Sequence, residues 1–147
     1  MSAPAGDETL RYVDLTQVGD GRFEAVNRRG GVLRMGQGDE RDFTPVELLL
    51  AALAGCGAID TDLITRKRSA ATRFDVRAEG HKIRDELGNH LVDLRVTFSL
   101  EFPEGEDGDR AREVVPRTLQ MVTDRLCTVG RTVAIGEPVA YVEADQA

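Results

Sequence analysis

The chain has 147 residues, of which 41% are apolar and 31% charged, and its formal net charge is −7. This length suits one domain with a single core, and the regular mixing of apolar with charged residues indicates a globular chain rather than a disordered one. The longest basic run is Arg66-Lys67-Arg68. Together with the net negative charge, this short run argues against nucleic acid or an anionic membrane as a partner.

The expected compartment follows from what the sequence does not contain. The first residues, MSAPAGDE, lack the basic end and apolar stretch of a signal peptide. The apolar run over residues 46–59 is interrupted by Glu47 and stops at Asp60, so we expect it to be too short to span a bilayer. We therefore expect a cytoplasmic chain, with a flexible leader over residues 1–9 and a single domain over residues 10–147. In that compartment Cys56 and Cys127 are expected to be reduced thiols at rest.

Three segments near the start of the chain have the composition of β-strands. They cover residues 11–16, 22–28 and 32–35. Gly30 and Gly31 separate the last two, and because glycine reaches positive φ without steric cost, this pair predicts a hairpin. A loop rich in glycine and charged residues follows over residues 36–42.

The clearest helix start lies at Thr44. Thr44, Pro45 and Glu47 fit a capping box in which Thr44 is the N-cap and Pro45 the first helical residue. The predicted helix ends near residues 66–68, where basic side chains suit the negative end of the helix dipole. Apart from Glu47, it is apolar on every face as far as residue 59, which is typical of a buried helix. One small chain can hardly cover such a helix, so we expect a homodimer that shares it.

Two glycines lie inside this helix on either side of a cysteine. Gly55 and Gly57 flank Cys56, and each glycine costs roughly 1 kcal/mol relative to alanine in a helix interior. This cost suggests that another backbone or a ligand lies close to Cys56.

The second half of the chain predicts two long strands, a helix and short closing strands. The long strands cover residues 72–83 and 91–102, with apolar and polar residues alternating in the second, and a polar turn joins them. The helix follows an acidic turn at residues 104–109, and Pro116 predicts a kink or a restart within it. Cys127 ends this helix, and short strands are expected around residues 133–135 and 139–143. The resulting order is that of an α+β fold.

Two blocks of this sequence resemble the OsmC/Ohr family of hydroperoxide reductases. Residues 44–56, TPVELLLAALAGC, are similar to the family block in which a proline opens the helix and a cysteine lies well inside it. Residues 127–131, CTVGR, are similar to its second cysteine block, although Thr128 and Gly130 replace the usual proline and serine. The strand pattern around the blocks extends the resemblance over roughly residues 10–143. A divergent OsmC-like subgroup fits it best.

The resemblance implies both an architecture and a reaction. The architecture is an OsmC-like fold, with antiparallel sheets around a long buried central helix, in an obligate homodimer with its active sites at the interface. The reaction reduces organic hydroperoxides: Cys56 attacks the peroxide, Cys127 resolves the sulfenic acid as a disulfide, and an external dithiol such as a lipoyl group restores both thiols. No bound cofactor is implied. Without the two blocks, Cys56 would be interpreted as an inert buried thiol, because free cysteine is among the most buried residue types.

The sequence departs from the family at the position of the group that activates the cysteine corresponding to Cys56. Peroxidatic members of the family carry a glutamate where this chain has Val46, paired with an arginine from the first strands. Glu47 is one residue further on, and its capping role explains it without catalysis. The arginine candidates are Arg22, Arg28, Arg29 and Arg34, without a basis for choosing among them. Asp60, four residues after Cys56, is either a polar anchor at the dimer seam or part of an altered site.

Two other hypotheses for the function also fit the sequence. The fold could bind a small hydrophobic ligand or sense oxidants without turnover, or it could be a purely structural dimer with inert thiols. The loss of the glutamate at Val46 favours these readings, whereas the retained cysteine pair favours the enzyme. His81 and His90 are expected to be surface residues, and a zinc site is not expected because no paired-ligand spacing occurs.

Overall fold

The computed structural model describes residues 8–144, which divide between two compact units. The first consists of residues up to Leu48 together with those from Pro138, and the second runs from Leu49 to Glu137. Most of the predicted leader, residues 1–9, lies outside the described residues. The elements in chain order are β1 Asp14–Gly19, β2 Arg22–Val26, β3 Val32–Met35, α1 Pro45–Thr65, β4 Arg73–Asp85, β5 Gly88–Glu101, α2 Glu106–Met121, a π-helical segment Val122–Leu126, and α3 Thr128–Ile135.

The first unit contains a three-stranded antiparallel meander in the order β1-β2-β3. The predicted hairpin between β2 and β3 is confirmed. Gly30 has a φ of +85°, and the Asn27 side-chain oxygen accepts hydrogen bonds from the backbone N–H groups of Arg29 and Gly31. The strand predicted over residues 11–16 is displaced, because β1 begins at Asp14 and runs to Gly19.

The predicted start of α1 is also confirmed. The backbone N–H of Thr44 donates to Glu47 Oε1 at 3.0 Å, and the N–H of Glu47 donates to Thr44 Oγ1 at 3.2 Å. These are the two reciprocal bonds of a capping box, and they satisfy two backbone donors that a helix start would otherwise leave without partners.

The second unit contains the antiparallel hairpin of β4 and β5. Val76 lies opposite Phe98 and Phe74 opposite Leu100. Along β5, the half-buried side chains of Val96, Phe98 and Leu100 alternate with exposed ones, as the sequence pattern predicts. One face of this sheet is therefore apolar and meets the helical part of the unit.

Helix α1 buries only one narrow stripe within the chain. Gly57, Thr61 and Thr65 are buried at a spacing of four residues, while Ile59 and Leu63 on other faces are 65% and 45% exposed. A Cβ at Gly57 would lie 3.2 Å from Phe98 Cζ, so a side chain, rather than the expected backbone or ligand, lies against this glycine. At Gly55 a Cβ would meet no atom within 4 Å. Within the chain this helix is thus buried on one side only, which agrees with the expectation that one small chain can hardly cover it.

The length of α1 corrects a second expectation. The helix has 21 residues and a mean hydropathy of 1.6 over its most apolar window, so by length and composition it is able to cross a bilayer, contrary to the estimate from residues 46–59. The core helix of a soluble protein has the same properties.

The end of the second unit differs most from the prediction. Helix α2 continues through Pro116 without a break, and the interruption comes later, where the N–H of Cys127 donates to the carbonyl of Val122 in the π-helical segment. The strand predicted at residues 133–135 lies instead in α3, and residues 137–144 have no regular structure. Valine and isoleucine favoured strands there, but α3 is capped at both ends. Cys127 accepts a hydrogen bond at its start, and Gly136, with a φ of 65°, ends it.

The two glycines of α1 give a matched test of this packing. Gly55→Ala should raise the free energy of unfolding by up to about 1 kcal/mol, because alanine is the better helix former and its methyl group meets no neighbour within the chain. Gly57→Ala should lack this gain, because Phe98 must move to admit the methyl group. Urea denaturation of both variants measures the difference. Equal effects of the two substitutions would show that α1 does not pack on β5 as described.

Candidate thiol site

The two cysteines belong to different elements of the second unit. Cys56 lies in the middle of α1, and Cys127 lies at the junction between the π-helical segment and α3. Both are free thiols; Cys56 is half-buried and Cys127 is buried. Although 71 positions separate them in sequence, their side chains lie close enough for Cys56 to act on the pKa of Cys127. The structure therefore brings together the two residues that the sequence analysis selected.

Cys127 is held by the start of α3. Its backbone is extended, with φ −77° and ψ 104°, and its Sγ accepts a hydrogen bond from the N–H of Gly130 at 3.2 Å. A Cβ at position 130 would lie only 3.3 Å from that sulfur. The glycine that replaces the family's usual serine thus gives the sulfur room to reach the backbone N–H.

The surroundings of Cys127 favour its protonated form. Burial raises the pKa of the Cys127 thiol above its ordinary value, and the neighbouring Cys56 thiol raises it further. The N–H of Gly130 opposes both effects, and the negative charge of Asp60 adds to them. The pair therefore keeps a proton on Cys127.

An apolar cavity of about 360 Å³ adjoins Cys127 in the second unit. Its wall includes Cys127, together with residues of α1, β5, α2 and α3 that carry no charge. These residues are Leu53, Gly57, Leu94, Val96, Phe98, Leu119, Val122, Thr123, Gly130, Val133 and Ala134. Its volume lies at the small end of the range of known ligand pockets. It suits a small apolar molecule with few polar groups.

Glu47 has the structural role that the sequence analysis favoured. It is bound to Thr44 in the capping box, and the hydrogen bonds from the Thr44 backbone and hydroxyl lower the pKa of its carboxyl. Three of the four candidate arginines have partners in the first unit. Arg22 pairs with Glu40, Arg34 lies 3.6 Å from Glu24, and Arg28 lies over the ring of Tyr12.

The remaining candidates fall into two groups. His81 and His90 are exposed, as predicted, and His90 lies 3.5 Å from Asp85 at the β4–β5 turn. Among residues 8–144, no cluster of three or more histidine, cysteine or acidic side chains could hold a metal ion. In contrast to the exposed histidines, Asp60 has a buried side-chain oxygen, Oδ2, which has no hydrogen-bond partner.

The fold and the paired thiols define an α+β protein with a dithiol site. A family model described as "OsmC-like protein" matches residues 36–141, and the chain belongs to this family, which confirms the resemblance seen in the two cysteine blocks.

Three known proteins illustrate the similarity. An uncharacterized protein of Mycobacterium tuberculosis is 29% identical over 133 residues, covering 89% of this chain and 93% of its own. The solved structure of an OsmC-like protein of unknown function from Vibrio cholerae matches with a TM-score of 0.71 at 11% identity, over 84% of this chain and 93% of that one. The organic hydroperoxide resistance protein of Bacillus subtilis matches with a TM-score of 0.51 at 12% identity, over 82% and 90%. At these identities the two structures support the fold alone.

The different surroundings of the two thiols predict an order of alkylation. At pH 8, iodoacetamide should modify Cys56 before Cys127, because the thiolate is the reactive form and Cys127 is 6% exposed with a raised pKa. Peptide mass spectrometry after short exposures measures the order, and both thiols should react at similar rates in urea. Modification of Cys127 first in the folded protein would contradict this description of the pair.

Proposed function

We propose that this protein is a thiol peroxidase that reduces organic hydroperoxides by a two-cysteine cycle. The Cys56 thiol ionises, and its thiolate attacks the O–O bond of the hydroperoxide, so that an S–O bond forms and Cys56 becomes a sulfenic acid. The departing alkoxide takes up a proton, equivalent to the one that the thiol released, and leaves as the alcohol. Cys127 then attacks the Cys56 sulfur, so that an S–S bond forms, the S–O bond breaks and water leaves. An external dithiol, such as a lipoyl group, reduces the disulfide and completes the cycle.

The observation that carries this proposal is the close approach of two free thiols. A sulfenic acid escapes further oxidation only if a second thiol reaches it quickly, and Cys127 already contacts Cys56 in the reduced protein. The adjoining apolar cavity supports a substrate with a small hydrophobic group. Membership of the OsmC-like family supports a peroxide-related role, and reduced thiols suit the cytoplasm.

The departure at Val46 bears on the rate of the first step. In the related peroxidases a glutamate at this position orients an arginine that stabilises the thiolate. Here the neighbouring Glu47 is bound to Thr44 instead. We therefore expect a slower attack on the peroxide than in relatives that keep the glutamate, while the resolving step keeps both of its thiols.

A second candidate function is storage or transport of a small hydrophobic ligand. The apolar cavity, walled by uncharged side chains, favours it. The two functions differ in what Cys56→Ser does. This substitution abolishes peroxide reduction but should leave the binding of an apolar fluorophore in the cavity unchanged.

The two-cysteine cycle predicts a specific product. Treatment with stoichiometric cumene hydroperoxide should remove two hydrogen atoms from the chain and join Cys56 to Cys127, because the two side chains are in contact before oxidation. Mass spectrometry of the intact protein and of its non-reduced peptides measures both. In Cys127→Ser, a sulfenic acid on Cys56 should accumulate and react with dimedone. Two free thiols after treatment of the wild type, or bridges only between chains, would refute the cycle.

We also propose that the protein is a homodimer that shares α1. The support is the apolar surface left exposed on this helix, including Leu49, Ile59 and Leu63. Such surface is typical of an interface rather than of a monomer in water.

The dimer predicts a mass and a sensitive position. Sedimentation at low micromolar concentration should give about twice the chain mass of 16.1 kDa. Ile59→Lys should shift the protein toward the monomer, because a charge would enter the interface. Leu87→Lys is the matched control, since Leu87 is 99% exposed at the β4–β5 turn. A well-folded wild-type monomer at this concentration would exclude the shared helix.

A further inference from the structure

One acidic side chain near the thiol pair is not used by the cycle described so far. Asp60 lies on α1 four residues after Cys56, and its Oδ2 is buried without a hydrogen-bond partner. A buried carboxylate oxygen without a partner is costly, because the oxygen loses its bonds to water and gains none from the protein. Such an oxygen therefore calls for an explanation, and a role in proton transfer provides one.

Helix geometry places Asp60 beside the thiols. Residues four positions apart on a helix are neighbours on one face, with Cβ atoms about 6 Å apart, so the Asp60 side chain lies next to Cys56. Cys127 lies beside Cys56, and both Cys56 and the charge of Asp60 act on the pKa of the Cys127 thiol. The three side chains therefore form one cluster.

The neighbouring Asp62 shows what an ordinary surface carboxylate of this helix looks like. Its side chain is 44% exposed and lies 3.5 Å from Arg66. Asp60 forms no ion pair of this kind with any of the described residues. Asp60 therefore differs from an ordinary surface carboxylate of α1, and Asp62 serves as its matched control.

We propose that Asp60 is the proton acceptor for Cys127 when Cys127 attacks the oxidised Cys56. This inference rests on the proposed two-cysteine cycle and assigns the proton of its second step. As the S–S bond forms, the Cys127 proton passes to the Asp60 carboxylate. The Cys56 S–O bond breaks, and the departing hydroxide takes that proton to leave as water, which returns Asp60 to its carboxylate form.

A base is needed because Cys127 is a buried thiol that holds its proton at neutral pH. Only 6% of Cys127 is exposed, so water has little access to the S–H group. The groups whose charge acts on Cys127 are Cys56 and Asp60, both on α1. The side chains that β5, α2 and α3 present to the adjoining cavity are uncharged. Asp60 is thus the carboxylate placed to take the proton.

The proposal can be tested without any hydroperoxide. Reaction of Cys56 with dithiobis(nitrobenzoate) gives a mixed disulfide and releases a first thionitrobenzoate. Attack by Cys127 on this disulfide then releases a second thionitrobenzoate, whose absorbance is followed over time. At pH 7 this second release should be at least about tenfold slower in Asp60→Asn than in the wild type, because general-base catalysis typically contributes 10²–10⁴-fold. The rate of the variant should approach that of the wild type as the pH is raised and Cys127 ionises without help. Asp62→Asn should match the wild type throughout.

Two results would overturn the proposal. The first concerns the rate of the second thionitrobenzoate release in Asp60→Asn. A rate within twofold of the wild type at pH 7 would overturn the proposal, and so would a rate lowered equally at every pH, as a purely structural effect would give. The second needs no variant and so does not depend on how Asp60→Asn folds. With an internal base the wild-type rate should change little between pH 6.5 and 8, and a tenfold rise for each pH unit would show that free Cys127 thiolate is the attacking species. If the wild type does not reduce peroxide but the second release still depends on Asp60, the proposed function is refuted and the role of Asp60 as proton acceptor stands.

Discussion

The close approach of the Cys56 and Cys127 side chains is the contact on which this site depends. It requires α1 to lie close to β5 and to the π-helical segment, and Gly57 allows this because even a methyl group there would press on Phe98. It also requires the Cys127 sulfur to face the start of α3, where the Gly130 N–H holds it. A change in either support would separate two thiols that are 71 residues apart in the chain. Two glycines and one π-helical turn therefore define a dithiol site on an otherwise ordinary α+β unit.

The features that the sequence predicts well are those fixed by neighbouring residues. The capping box at Thr44 and Glu47 and the glycine turn before β3 need only local hydrogen bonds and local backbone freedom, and both are observed. The alternation along β5 is equally local. The cysteine pair is different in kind, because no spacing rule joins residues 71 positions apart. It was selected through the two family blocks, and the fold brings the two side chains together.

The features that the sequence predicts poorly depend on more distant contacts. Val133 and Ile135 have strand propensity, yet they lie in α3 because Cys127 and Gly136 cap that helix. Pro116 predicts a kink or a restart within α2, but the helix continues through it, and a π-helical segment follows at residues 122–126, directly before Cys127. An apolar pattern on every face does not tell which face of α1 the chain itself covers, and only the stripe of Gly57, Thr61 and Thr65 is buried. For Asp60 the sequence supports both interpretations equally, a polar anchor at the dimer seam or part of an altered site. The lack of a hydrogen-bond partner for its Oδ2 is visible only in the folded chain.

The proposed enzyme differs from its related peroxidases at the step that activates the first thiol. Val46 replaces the usual glutamate, and Glu47 is bound to Thr44, whereas both thiols and an adjoining apolar cavity are present. The most direct test is steady-state consumption of cumene hydroperoxide with dihydrolipoamide as reductant. The account predicts sustained turnover by the wild type, none by Cys56→Ser, and no sustained turnover by Cys127→Ser. Consumption by the wild type no faster than by Cys56→Ser would contradict it.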